Sequence, residues 1–277
     1  MIYLVTDSTA CLSRQDVREL GLLVVPCHYF RDGREAFQEG FVEDWRPEPD
    51  ADLSRYTTAQ APSPAFLELF QRLKRQGHQA LCLTLSSRLS GTYANALKAA
   101  EEAGEGFMVV DSRSTAGAMY LLLREARGMI DRGDTLAACF ERLKALRRNT
   151  RTIFTIQDMD PLRRSGRLGF MRSSVSTLLN LRPLLALQDG SVVSHSLARG
   201  RQDQLRQMVL GLSGKPKEVV VQYQGGEDAA EELARRLKEK GIEVVMRPIG
   251  VILSIHLGLP LLSMAWIEAE EPARAAL

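Results

Sequence analysis

The chain has 277 residues, of which 45% are hydrophobic and 25% charged, with a formal net charge of +2. That composition supplies enough apolar residues for one large domain or two smaller ones, and the near-neutral balance argues against a dedicated nucleic-acid binder, which carries a strong basic excess. Four cysteines, Cys11, Cys27, Cys82 and Cys139, show no C-x-x-C spacing and read as buried thiols of a reducing compartment, so the expected location is the cytoplasm.

The opening MIYLVTDSTA reads as a strand at 2–6 closed by Asp7-Ser8-Thr9. It is not expected to be a signal peptide, because no basic segment precedes the apolar run. Residues 14–21 form a helix stopped by Gly21, and 22–30 a strand. Asp32-Gly33 between extended flanks signals a hairpin. Residues 45–64, rich in Pro, Asp and Thr, read as a long irregular loop. An amphipathic helix follows at 65–77, with Phe66, Leu69, Phe70 and Leu73 on one face. Then come a strand at 80–85, a helix at 92–103, a strand at 107–110, and helices at 115–132 and 135–148. Strand–helix alternation of this kind implies a mostly parallel sheet covered on both faces.

The second half reads differently. A strand at 152–156 precedes the basic, glycine-punctuated segment PLRRSGRLG and then STLLN. Asp189-Gly190 turns one strand onto another. A helix near 201–212, a strand at 218–223, an amphipathic helix at 227–241 and a last clear strand at 242–248 complete the pattern. The expected division is therefore an N-terminal α/β domain over 1–151 and a C-terminal α+β domain over 152–277. The apolar run from Val251 through Trp266 is interrupted by His256 and Pro260, so no membrane span is expected.

Three turns after apolar strands carry hydroxyls: DSTA at 7–10, SSRLSGT at 86–92 and DSRST at 111–115. In a parallel α/β sheet the strand C-termini share one edge, where ligands bind. Helix capping explains such residues equally well at the first and third turns. The second turn has more hydroxyls than one cap requires. Arg163, Arg164 and Arg167 surround Gly166, either as a solvated loop or as a guanidinium aimed at an anion. Arg147, Arg148 and Arg151 cluster at a helix end; they either complement that C-terminus or mark a partner surface. Asp158 and Asp160 suit either a metal contact or helix capping, and read better as helix caps. His256, in an apolar setting, reads as a hydrogen-bonded core residue, and no histidine pair has metal-ligand spacing. Neither G-x-S-x-G nor G-x-x-x-x-G-K-[ST] occurs.

Taken in order, these segments resemble the DegV family of bacterial fatty-acid-binding proteins. VTDSTA at 5–10 matches the family's opening motif. TAQAPSPAF at 58–66 is similar to T-S-Q-P-S-P-x-x-F, SSRLSGTY at 86–93 to S-S-x-L-S-G-T-Y, and VVDSRS at 109–114 to V-V-D-S-K-S. PLRRSGRL at 161–168 resembles Y-L-K-R-G-G-R-I, and LNLRPLL at 179–185 resembles L-N-I-K-P-I-L. His256-Leu257-Gly258-Leu259-Pro260 stands where the family has H-T-G-P-G. Ala59, Ala61, Pro62, Ser63 and Ser165 also depart from the family pattern.

The resemblance implies a two-domain DegV-like fold with a long-chain fatty acid in a buried tunnel between the domains. It implies a carboxylate site made of Thr58, Ser87, Ser90, Arg167 and His256, with no metal and no cofactor beyond the fatty acid itself. It further implies a carrier subunit that presents the carboxylate to a separate fatty acid kinase, for phosphorylation to acyl phosphate and entry into phospholipid synthesis. No nucleic acid and no membrane span are expected; transient membrane contact is compatible with such a carrier. The alternative is a stand-alone phosphotransferase or hydrolase using His256 as base on a small anion.

Overall fold

In the computed structural model, which describes residues 1–47, 51–167 and 181–269, the first half alternates strand and helix as the sequence implies. Its elements are β1 (Ile2–Asp7), α1 (Arg14–Leu20), β2 (Leu22–Val25), β3 (His28–Arg31), β4 (Glu35–Gln38), β5 (Tyr56–Ala59), α2 (Ser63–Arg75), β6 (Gln79–Thr84), α3 (Thr92–Ala103), β7 (Phe107–Asp111), α4 (Ala116–Asp131) and α5 (Leu136–Leu146). The second half contributes β8 (Thr150–Ile156), α6 (Asp160–Ser165), β9 (Leu181–Gln188), β10 (Ser191–Arg199), α7 (Gly200–Leu210), β11 (Glu218–Gln224), α8 (Glu227–Lys238), β12 (Glu243–Pro248), α9 (Val251–Leu257) and β13 (Leu261–Ile267).

Three sheets result. The first runs β2-β1-β6-β7, all parallel. Alternation along β1 sends Val5 to one face, against Phe66, Phe70 and Ala99 of α2 and α3. Leu4 goes to the other, against Met119, Leu122 and Leu143 of α4 and α5. The second is a small antiparallel sheet, β4-β3-β5. The third runs β10-β9-β8-β13-β11-β12, antiparallel except for β11 beside β12. Helices α7 and α8 cover its outer face through Leu205, Met208, Leu233 and Leu237. The expected mixed α/β fold is present.

Helix α4 packs against both large sheets. Its backbone approaches the third sheet at Gly117, whose N–H donates to Gln222 Oε1. A Cβ there would sit 2.8 Å from that oxygen and 3.1 Å from Val220 Cγ1, so any larger residue would crowd the approach.

Four sequence expectations need correction. The strand read over 22–30 breaks at Pro26, which has no N–H for a ladder; β2 and β3 then join different sheets, and Cys27 N–H is taken by Ser8 Oγ at 2.9 Å. The supposed loop at 45–64 contains β5, paired with β3. The basic segment after 160 begins as helix α6, ended by Gly166 at φ 69°. The last strand is not β12: β13 follows it and lies centrally, between β8 and β11. The apolar run 251–266 gives no periodicity to separate helix from strand, and the break falls at Gly258, with φ 75°. STLLN, Leu168 of the arginine motif and the chain beyond 269 lie outside the described residues.

The halves are tied by a buried ion pair. Arg247 of β12 grips Asp16 of α1 through both terminal guanidinium nitrogens, Nη1 at 2.9 Å from Oδ1 and Nη2 on Oδ2, and Nη2 also reaches the Cys11 carbonyl. Its guanidinium carbon lies 4.0 Å from the Tyr120 ring centroid, a stacked cation–π arrangement. Burial alone raises the Asp16 pKa; the Arg247 and Ser13 hydrogen bonds with the Arg247 charge outweigh it and hold the carboxyl below its usual range. Removing one partner strands the other charge, so Asp16→Ala is expected to cost about 3 kcal/mol, read as a lower denaturant midpoint at unchanged slope. Because the folded pKa is depressed, the contribution is present above the unfolded carboxyl value of about 3.9 and is lost as pH falls through the folded value. The gap between wild type and Asp16→Ala should therefore close only in acid; a midpoint unchanged at pH 7 would contradict this role.

Candidate functional site

The parallel order of the first sheet brings Asp7, Thr84 and Asp111 to one edge, and the three hydroxyl-rich turns interlock there. Asp7 Oδ2 accepts from Leu85 N–H at 2.8 Å, Ser86 N–H donates to Ser114 O at 2.8 Å, and Thr115 Oγ1 donates to Thr9 O at 3.2 Å. Ser86 Oγ reaches across to Gly190 O in the β9–β10 turn, at 2.8 Å. Much of the hydroxyl content of these turns thus holds the edge together.

Between this edge, helix α9 and the inner face of the third sheet lies a cavity of about 330 Å³. Its walls are mainly apolar: Phe154, Leu187, Val192 and Leu261 from the third sheet, Ile252 and Leu253 from α9, with Leu89 from the second turn. The polar groups converge. Thr58 Oγ1 and His256 Nε2 lie 2.7 Å apart, joining β5 to α9. Arg167 stands beside His256 and donates from Nε to Leu89 O at 3.3 Å and from Nη1 to Ser165 O. Both of those acceptors are carbonyls, and no carboxylate among the described residues pairs with this guanidinium. Ser90 lines the cavity while its Oγ accepts from Thr92 N–H at 3.3 Å at the start of α3. It therefore accepts the first N–H of the helix and faces the cavity at once.

Four of the five residues carried by the resemblance, Thr58, Ser90, Arg167 and His256, line this cavity. Ser87 does not. It is exposed, its N–H donating to Asp111 Oδ1 at 3.1 Å and its Oγ to Asp111 Oδ2 at 2.6 Å, and so it ties the second turn to the third. Gln60 lines the cavity without having been singled out. The signal was its place in TAQAPSPAF, where it matches the glutamine of the T-S-Q-P-S-P-x-x-F pattern. Its amide lies against Gly91, where a Cβ would sit 2.2 Å from Oε1, so the glycine of the second turn makes room for it.

His256 is the electrostatically unusual member. Burial, and then the nearby Arg167 charge, push its pKa down to about 4, so the ring is neutral at physiological pH. Neutral imidazole and threonine hydroxyl together still offer a donor to an anion. Among the described residues no group of three or more His, Cys, Asp or Glu is placed to hold a metal ion. Asp158 and Asp160 do sit at a helix start, with Asp158 Oδ1 accepting from Asp160 N–H at 2.9 Å. Of the helix-end arginines, Arg147 and Arg151 bond carbonyl oxygens and Arg151 also pairs with Glu268, while Arg148 is exposed.

A family model described as "Uncharacterised protein, DegV family" matches residues 1–269. A DegV domain-containing protein of Halalkalibacterium halodurans is 29% identical over 283 residues, covering 96% of this chain and 98% of that one. Among solved structures, a DegV family protein of Thermus thermophilus, described by its fatty acid binding, is 25% identical with a TM-score of 0.86, covering 97% of this chain and 99% of its own. A stearic acid-binding protein of Eubacterium ventriosum is 20% identical with a TM-score of 0.83, covering 97% and 98%; at that identity the likeness shows the fold. No helix among the described residues is long and apolar enough to cross a membrane.

The depressed His256 value gives a direct expectation. In ligand-free protein the His256 ring, followed by histidine-selective NMR, should remain neutral down to about pH 5. Protonation of the ring itself, seen as the full imidazole-to-imidazolium change in its nitrogen shifts, at or above the ordinary histidine value of about 6.5 would contradict the buried, Arg167-flanked setting; a small shift sensed from a neighbouring group would not.

Proposed function

The chain belongs to the DegV family, and from that premise we propose that it binds a long-chain fatty acid in the cavity, with the carboxylate at Arg167, His256, Thr58 and Ser90 and the acyl chain along the apolar wall. The observation that carries this reading is Arg167: a guanidinium lining a mainly apolar cavity, hydrogen-bonded to carbonyls and lacking a carboxylate partner among the described residues. A fatty carboxylate supplies the missing anion, and a hydrogen bond to a charged group is among the stronger ones. The acyl chain supplies affinity. At about 0.8 kcal/mol per buried methylene, a chain of about sixteen carbons contributes on the order of 10 kcal/mol, before ordering and association costs. A volume of about 330 Å³ suits a small amphiphile of this kind. The Thermus thermophilus relative, described as fatty acid binding, supports the same assignment.

The protein is then a carrier working from the cytoplasm, its lobes dividing near residue 151. Its carboxylate is presented to a separate kinase, where the carboxylate oxygen attacks a nucleotide's terminal phosphoryl group to give acyl phosphate and the nucleoside diphosphate. The sequence supports a separate kinase by lacking the P-loop pattern.

The stand-alone hydrolase reading draws on one observation, the 2.7 Å Thr58–His256 contact, which pairs a hydroxyl with an imidazole. A catalytic base works best with a pKa near the operating pH, and a ring held at about 4 is a weak base at neutrality. The carrier reading needs no such base.

Paired titrations of palmitate and methyl palmitate test the head group. Thr58→Val and Arg167→Ala are each expected to weaken palmitate binding ten- to hundredfold, the loss of about 1.5–3 kcal/mol for a hydrogen bond to a charge. Binding of the ester, which has no charge, should change much less. Equal losses for acid and ester, or none for either, would remove the carboxylate from this place.

A further inference from the structure

Helix α9 supplies Ile252, Leu253 and His256 to the cavity wall, yet its start carries no side-chain cap of its own. Its first N–H groups find partners elsewhere. Gly250 N–H donates to Cys11 Sγ at 3.3 Å, and Ile252 N–H donates to Glu39 Oε1 at 3.0 Å. Glu39 follows β4, and its own N–H donates to Cys27 O at 2.8 Å. It is 5% exposed, and its second oxygen, Oε2, has no hydrogen-bond partner. A Cβ on Gly250 would lie 2.4 Å from Oε1, so the glycine leaves the carboxylate its seat.

A buried carboxylate without a cation is costly. Burial pushes the Glu39 carboxyl up to about 7, against the Ser8 hydroxyl and Ile252 N–H that favour its ionised form, and Asp7 of β1 adds like charge. The other titratable groups facing it are Cys11, Cys27 and Tyr29 of β3. Arg247 stops at the Cys11 carbonyl and at Asp16. An anion at a helix start interacts favourably with the helix dipole, and Ile252 and His256, four residues apart, share one helix face.

We infer that Glu39 is a positioning residue for the ligand site: its carboxylate pins the start of α9 and thereby sets where His256 meets Thr58. The consequence for ligand binding rests on the fatty-acid reading, whereas the His256–Thr58 geometry it governs exists without ligand.

The test uses the full chain with labelled histidine, ligand-free for NMR and in parallel titrated with palmitate. The variants are Glu39→Gln, Glu39→Ala, Gly250→Ala and the double variant Glu39→Ala/Gly250→Ala. Alanine at 250 displaces the carboxylate without touching His256. In wild type the His256 ring signals should show an inflection near 7 as Glu39 titrates, and Glu39→Gln should abolish it. Glu39→Ala and Gly250→Ala should each shift the His256 signals and weaken palmitate about tenfold, one hydrogen bond's worth. The double variant should be no weaker than either single one, because both remove the same contact. Glu39→Gln keeps an acceptor for Ile252 N–H and should recover most of the loss. If Glu39→Ala fails to fold, Gly250→Ala and Glu39→Gln carry the test alone. His256 signals and palmitate affinity unchanged in Gly250→Ala, or an inflection that persists in Glu39→Gln, would overturn the inference. A wild type that binds no palmitate yet shows the expected His256 shifts would sink the ligand reading and leave the positioning role standing.

Discussion

The Asp16–Arg247 pair ties the two halves of the chain together, and the helix that lines the candidate site follows directly after it in the chain. Two charges taken out of water hold their place only when paired and hydrogen-bonded, so the end of β12 is fixed against α1. Ile249 and Gly250 follow at once, and α9 begins at Val251. The helix that carries His256 is thus set by a contact several residues upstream, then held at its own start by Glu39 and Cys11. On the other side α4 passes close to the third sheet because Gly117 has no side chain to keep it away. The cavity is the space left between these attachments, with walls from both halves.

Strong periodicity and turn chemistry made the first half legible. The helix with Phe66, Phe70 and Leu73 buried on one face, the hairpin at Asp32-Gly33 and the glycine stop at Gly21 all carry local signals that agree with the fold. The run from Val251 to Trp266 carried no such signal. A buried helix and a central strand are both uniformly apolar, and what separates them is a backbone turn at Gly258. The site divides in the same way. Thr58, Ser90, Arg167 and His256 were reachable through motifs. Ser87 belongs to the same motif, but its hydroxyl has a nearer task on Asp111. Glu39 was invisible, because nothing local in EAFQEG marks a buried carboxylate; groups distant in sequence, among them Cys11, Cys27 and the start of α9, enclose it.

The chemistry of the cavity is that of holding. A permanently charged guanidinium, a neutral imidazole and hydroxyls make a site for one negative charge, while the apolar wall suits a chain rather than a small polar substrate. The depressed His256 pKa keeps a second positive charge away from Arg167; a carboxylate beside the ring would favour its protonation. On the fatty-acid reading, affinity from the chain and orientation from the head have separate structural sources, one in the third sheet and α9, the other at the meeting of β5, the second turn and α9.

The central claim is that the cavity holds one fatty acid by its carboxylate. Native mass spectrometry of the protein purified from a heterologous bacterial host, with the same sample weighed after denaturation, tests it most directly. The account predicts a native mass above that of the chain by one long-chain fatty acid, an excess lost on denaturation and much reduced in Arg167→Ala. A native mass equal to the chain alone, unchanged after incubation with palmitate, would contradict it.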